Sequence, residues 1–194
     1  MRQQLHERAY AERRTAASFL VLAGEAPGPG ATEHRTDHFL LRLAASNREV
    51  TPGNRVTLVL DFEMGEGRHA YAPGAEGYRP LRLRLDGHPL VTVHDPAYPP
   101  SRLFEFKPLS ETVPVYERRF RLLQDVTLAD GRAFAELLKA PDPTLALTGT
   151  LDYQVCSETV CYPPASLPLS WSFRVLSLDR ERAPEAIRHR PPGP

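Results

Sequence analysis

The chain is almost devoid of cysteine. Its 194 residues hold two, Cys156 and Cys161, with four residues between them. That scarcity excludes a disulfide-dense scaffold, which a chain of this size does not need. Long apolar runs are absent too: nothing approaches the roughly 18 residues of a membrane-crossing helix, so the sequence calls for no membrane insertion. Nor does one sign of charge prevail, because 24 Lys and Arg balance 24 Asp and Glu. A general nucleic-acid or anionic-membrane binder would carry a basic excess, so neither partner is expected. No internal repeat or long low-complexity tract is present, and no cofactor is called for.

Proline is what the chain has in quantity: 20 of 194 residues, about twice the usual share of roughly 5%. Abundant proline disfavours long helices and favours short strands joined by rigid turns. The hydrophobic pattern agrees. Phe39, Leu41 and Leu43 alternate with their neighbours, as do Val56, Leu58 and Leu60. Leu81, Leu83 and Leu85 alternate strictly with Arg82, Arg84 and Asp86, the signature of a half-buried strand. Asp86-Gly87-His88-Pro89 turns into Leu90–Val93, and further strands are expected at Arg118–Thr127, Leu145–Tyr153 and Leu167–Leu176. A short helical turn is expected within Ala133–Lys139, and Trp171 reads as a core residue. Some eight short strands with frequent turn signals predict an all-β fold, an antiparallel β-sandwich.

The two ends read differently. Arg2–Leu22 has a partly helical pattern and is followed by the turn-rich Gly24-Glu25-Ala26-Pro27-Gly28-Pro29-Gly30. The expected organisation is a short helix over 1–23, the tail of a preceding domain, then a linker over 24–35. One β domain over 36–178 and a charged, proline-rich tail over 179–194 complete it. No export leader is legible in the polar start, and Phe19–Ala23 is too short for one. The chain therefore reads either as cytosolic or as a downstream piece of a longer exported polypeptide.

Function rests on the cysteine pair. A strand runs into Cys156 through Tyr153-Gln154-Val155, and Tyr162-Pro163-Pro164 follows Cys161. This places the pair on a tight turn between strands, where two β-carbons can reach disulfide distance. Three readings are open. A structural disulfide over so short a loop would contribute only about 2 kcal/mol. A metal site would need His69, His88 and His94 to converge on the pair, since no ligand lies at finger-like spacing. A reversible dithiol/disulfide pair accounts for the close spacing on a turn most directly.

The compound pattern Tyr-Gln-x-Cys, four residues, Cys-Tyr-Pro-Pro resembles the active-site motif of the N-terminal domains of DsbD-type thiol:disulfide interchange proteins. Gly67-Arg68-His69-Ala70-Tyr71 resembles the strand that lies under the cysteines in that family, and Tyr98–Tyr116 occupies the place of its cap loop. The resemblance spans about Thr36 to Val175. It implies an immunoglobulin-like fold and an extracytoplasmic, periplasmic location. It also implies a thiol:disulfide oxidoreductase that takes electrons from a thioredoxin-like partner and passes them to oxidised protein substrates. On that resemblance Cys161, preceding Tyr-Pro-Pro, forms the mixed disulfide with partners, and Cys156 is the resolving thiol. The competing reading is a non-catalytic immunoglobulin-like interaction module with a permanent disulfide.

Further residues follow from the same likeness. Tyr71 matches an aromatic position near the cysteines, and His69 stands where an aromatic residue is usual. Phe104, Glu105 and Phe106 are the cap candidates: the phenylalanines to cover the disulfide, the carboxylate to raise a thiol pKa by like-charge repulsion. Tyr162 and the two prolines are expected to fix the turn. The N-terminal helix weakly resembles the closing helix of a redoxin domain, from which the chain is expected to be the C-terminal part of a longer redoxin-plus-sandwich protein.

Overall fold

The computed structural model describes residues 32–106 and 111–177. The strands are β1 (Thr32–Arg35), β2 (Phe39–Ala45), β3 (Glu49–Val50), β4 (Arg55–Met64), β5 (His69–Tyr71), β6 (Arg82–Leu85) and β7 (Val91–Val93). They continue with β8 (Arg102–Phe106), β9 (Glu111–Glu117), β10 (Arg119–Leu128), β11 (Thr144–Tyr153), β12 (Val155–Cys156) and β13 (Ala165–Val175). Among the described residues the only helical element is a 3-10 turn at Leu137–Lys139, inside the span expected to turn helically. None of the described helices is long and apolar enough to cross a membrane.

Alternation in the sequence becomes the inside and outside of two facing sheets. The first sheet has the order β1-β2-β4-β10-β7 and the second β3-β13-β11-β6. Along β4 every second residue is buried, from Val56 to Met64; β11 and β13 repeat the pattern. Leu41, Leu58, Leu60, Leu122 and Val126 from one sheet share a single core with Leu147, Leu151, Leu169, Trp171 and Phe173 from the other. This is the expected immunoglobulin-like sandwich, antiparallel except where β3 runs parallel to β13. Burial of such inward rows is the main favourable contribution to the fold, at about 25 cal/mol per Å² of apolar surface.

A third, four-stranded sheet, β12-β5-β9-β8, carries the cysteine motif. Its central strand β5 pairs with β12 on one side and β9 on the other, so His69, Ala70 and Tyr71 are all buried. Strand alternation then divides the sheet's two faces. Ala70, Val155 and Tyr116 join the main core, whereas Tyr71, Val113, Val115 and Cys156 form a second cluster with Ala75, flanked by Phe104 and Tyr78.

Two expectations change. Thr32–Arg35, read as the end of a linker, is a strand: it pairs with β2 from Thr32↔Leu43 to Arg35↔Leu40, and Arg42 Nε donates to Glu33 at 2.8 Å. Tyr98–Tyr116, read as a cap loop, contains the antiparallel strands β8 and β9, with Leu103 opposite Pro114 and Phe104 opposite Val113. The N-terminal helix over 1–23 and the tail over 179–194 lie outside the described residues.

Candidate functional site

The cysteines sit on a very short hairpin. Strand β11 ends at Tyr153, which is buried with its ring edge against Phe39. Two residues on, Val155 and Cys156 pair with Ala70 and His69 of β5. The chain reverses through Ser157–Val160, where Ser157 N–H donates to Val160 O at 2.7 Å. Ser157 Oγ accepts from Val160 N–H at 3.0 Å, closing the turn from the other side. Cys161 returns opposite Cys156 in an antiparallel bridge, the Cα atoms 4.1 Å apart, and the two sulfurs are joined.

Motif residues outside the pair hold this hairpin. Tyr162 N–H donates to Val155 O at 3.0 Å, and Gln154 Nε2 donates to Tyr162 O at 3.2 Å. The Tyr162 ring lies against His38, with centroids 4.3 Å apart, and the Arg68 guanidinium sits 4.6 Å from its centroid. Tyr162 thus anchors the turn.

Burial divides the pair. Cys156 is 0% exposed, inside the cluster with Tyr71, Val113 and Val115, whereas Cys161 is exposed. Next to it Val160 leaves 51% of its surface in solvent.

Beneath both sulfurs lies the Tyr71 hydroxyl, 3.1 Å from Cys156 Sγ and 3.4 Å from Cys161 Sγ. A disulfide carries no hydrogen, so the hydroxyl is the donor. Burial, with Tyr78 and Glu111 adding to it, pushes the Tyr71 pKa well above the ordinary tyrosine value. Tyr71 therefore keeps its proton at neutral pH and stays a donor. Tyr78 stacks on Tyr71 with centroids 4.1 Å apart, and its hydroxyl donates to Glu111 Oε2 at 2.8 Å.

His69, directly opposite Cys156, is 3% exposed and packs its ring on Phe104 at 4.4 Å between centroids. Burial lowers its pKa from the model-compound value of 6.5, opposed by nearby Glu117. It is neutral at pH 7, an apolar-packed ring filling an aromatic position.

Five expected residues therefore meet: Cys156, Cys161, Tyr71, His69 and Phe104. Glu105 does not join them. It is exposed on the strand face opposite Phe104, because neighbouring residues of β8 point to opposite sides. It is too solvated to bear on a thiol as the sequence reading supposed. Phe106 ends β8, and its side chain lies outside the described residues. The histidines proposed as metal ligands have other partners. His88 Nδ1 accepts from Leu90 N–H at 3.2 Å, and His94 Nε2 lies 2.8 Å from Thr127 Oγ1. Among the described residues no three His, Cys, Asp or Glu side chains gather where a metal could be held.

Sequence reasoning missed Tyr78 and Glu111. Tyr78 reaches the site through a loop without periodicity, Pro73–Gly77, whose Gly74 and Gly77 take φ values of 95° and 77°. Such values suit glycine and are strained for other residues. The paired glycines were the available signal that the chain turns back there.

The surface arrangement is one a thiol could attack. An exposed cysteine is bonded to a buried one, and a protonated hydroxyl stands ready to stabilise a thiolate when the bond opens.

Comparison with known proteins bears on this site. The family model described as "Thiol:disulfide interchange protein DsbD, N-terminal" matches residues 36–167. No curated protein matches the chain. Among solved structures, the N-terminal periplasmic domain of ScsB from Proteus mirabilis aligns at 19% identity and a TM-score of 0.47. The alignment covers 72% of this chain and 49% of that one, so the chain spans about half that structure's length. The reduced N-terminal domain of Neisseria meningitidis DsbD aligns at 18% identity and a TM-score of 0.42, covering 71% of this chain and 86% of that one. The GAE domain of GGA2p from Saccharomyces cerevisiae aligns at 10% identity and a TM-score of 0.39, over 74% and 97% of the two chains.

Proposed function

The chain belongs to the family of DsbD N-terminal domains, and on that premise we propose that it exchanges disulfides through Cys161 and Cys156. The observation that carries this reading is the unequal burial of two bonded cysteines over the Tyr71 hydroxyl. The partner's thiolate attacks exposed Cys161 Sγ. The Cys156–Cys161 bond breaks, its electron pair goes to Cys156 Sγ, and a mixed disulfide remains on Cys161. Tyr71 donates to the departing thiolate, offsetting the cost of forming charge in an apolar cluster.

The electron donor's second thiolate then attacks the donor sulfur of that mixed disulfide, so the donor leaves oxidised and both cysteines are left reduced. Cys161 thiolate next attacks the substrate's disulfide, one substrate sulfur leaving as thiolate; Cys156 thiolate then attacks Cys161 Sγ, re-forms the internal disulfide and releases the substrate reduced. Because the hairpin already holds Cys156 against Cys161, this step is intramolecular and outruns escape. The pair thus carries two electrons from a thioredoxin-like donor to oxidised protein substrates in an extracytoplasmic compartment.

A Cys156→Ser variant tests the assignment. Mixed with an oxidised partner protein, it is expected to accumulate a mixed disulfide through Cys161, whereas Cys161→Ser captures none. Equal capture by both variants, or by neither, would remove the assignment.

A further inference from the structure

Beside the cysteine hairpin the surface opens into a groove of about 640 Å³. Part of its lining is motif, Gln154 and Pro164, together with Asp152 of β11. The rest is the loop and strand that follow β5, with Tyr78, Arg79, Pro80, Arg82 and Arg84. Its charge follows from the strand period. Leu81 and Leu83 are buried in the sandwich, so Arg82 and Arg84 must stand on the outer face of β6. Asp152 is the one acidic lining residue, and Arg84 Nη2 already holds it at 2.8 Å. Arg82 stands opposite Asp152 in the pairing of β6 with β11, yet among the described residues no carboxylate comes within salt-bridge distance of Arg79 or Arg82.

The groove is also tied to the reacting turn. Gln154 Oε1 accepts from Arg79 N–H at 3.0 Å while its Nε2 donates to Tyr162 O at 3.2 Å, so one amide side chain joins the arginine loop to the residue after Cys161. Tyr78, next to Arg79 in the lining, is the ring stacked on Tyr71. Pro164 lies three residues from Cys161, a span of about 10 Å at most.

We propose that this groove receives an acidic segment of a protein partner, flanking the partner's reacting cysteine. The inference rests on the exchange function above and names the chemistry of its partner. A cysteine seated at Cys161 brings residues within about three positions of it over Arg79 and Arg82. Carboxylates there meet two guanidinium groups that no salt bridge holds and are steered to the sulfur before bonding begins. The reaction is the one already written: partner thiolate onto Cys161 Sγ, Cys156 leaving as thiolate, no other reactant.

The test uses the oxidised full chain and three capped pentapeptides with a central cysteine flanked by glutamates, glutamines or lysines. Each peptide is used in excess, so that a second peptide thiolate clears the mixed disulfide; reduced chain is counted by chromatography after acid quenching, and each rate is divided by the peptide's thiolate fraction. At low ionic strength the glutamate peptide is expected to react roughly tenfold faster than the lysine peptide. About 0.5 M salt should collapse that preference. Arg79→Glu with Arg82→Glu should reverse it while leaving reduction by uncharged dithiothreitol within about twofold. The milder Arg79→Gln with Arg82→Gln should abolish it, which guards against misfolding of the charge-reversed protein. A ratio near one, a preference for lysine, or a preference unchanged in both variants would overturn the groove assignment while exchange itself stands. Failure of dithiothreitol to open the pair would overturn both.

Discussion

Cys156 and Cys161 share one disulfide but not one environment. The first is wholly buried with the Tyr71 hydroxyl 3.1 Å from its sulfur; the second is exposed beside Val160. In the proposed exchange this asymmetry sets the order, because the partner meets the exposed cysteine first.

The asymmetry should persist after reduction. Iodoacetamide is expected to modify Cys161 at least about tenfold faster than Cys156, since access as well as thiolate fraction sets the rate. Peptide mapping after brief alkylation checks it. Equal labelling would mean that the hairpin opens when the bond does.

Replacing Tyr71 by Phe removes one donor and leaves the ring stacked on Tyr78. A hydrogen bond to a thiolate favours the charged form, so the thiol pKa should rise when it is removed. Exchange at neutral pH should slow several-fold, at a stability cost of roughly 1 kcal/mol. Thiolate absorbance against pH reads the first effect and urea unfolding the second.

His69 makes stability depend on pH with a definite sign. Burial lowers its folded pKa below the model-compound value of 6.5, so on acidification the unfolded chain takes up the proton first. The contribution is full above pH 6.5 and is lost as pH falls through the folded value. His38 acts the same way, its pKa lowered by burial and then by Arg68. Urea midpoints should therefore fall between about pH 7 and pH 5. His69→Phe should flatten part of that slope and leave the share of His38.

Phe104 packs on His69 and flanks the cluster that holds Cys156. Phe104→Ala should cost about 1–2 kcal/mol, less than a fully buried phenylalanine because the ring is half-buried. It should also speed reduction by dithiothreitol several-fold by opening a way toward Cys156. Unchanged kinetics would make Phe104 a packing residue without a covering role.

Much of the fold could be read from period alone. In β4 and β11 the alternation of apolar and polar residues is the alternation of buried and open sites. It failed where strands are too short to show a period, as in His69–Tyr71, Glu49–Val50 and Val155–Cys156. These are fixed by partners distant in sequence. The same limit governs the site. The cysteine pair and its flanking Tyr-Gln and Tyr-Pro-Pro were legible because they are contiguous. Glu105 was misread because Phe104 and Glu105, adjacent in sequence, fall on opposite faces of β8. The link from Tyr71 through Tyr78 to Glu111 spans three separate segments and leaves no local pattern.

The reduction potential of the Cys156–Cys161 pair, equilibrated against graded glutathione or dithiothreitol buffers, tests the central claim most directly. An exchanging pair should titrate above about −300 mV, within reach of thiol donors. A value below about −300 mV, together with no partner capture by Cys156→Ser, would contradict exchange and make the disulfide a permanent staple of the hairpin.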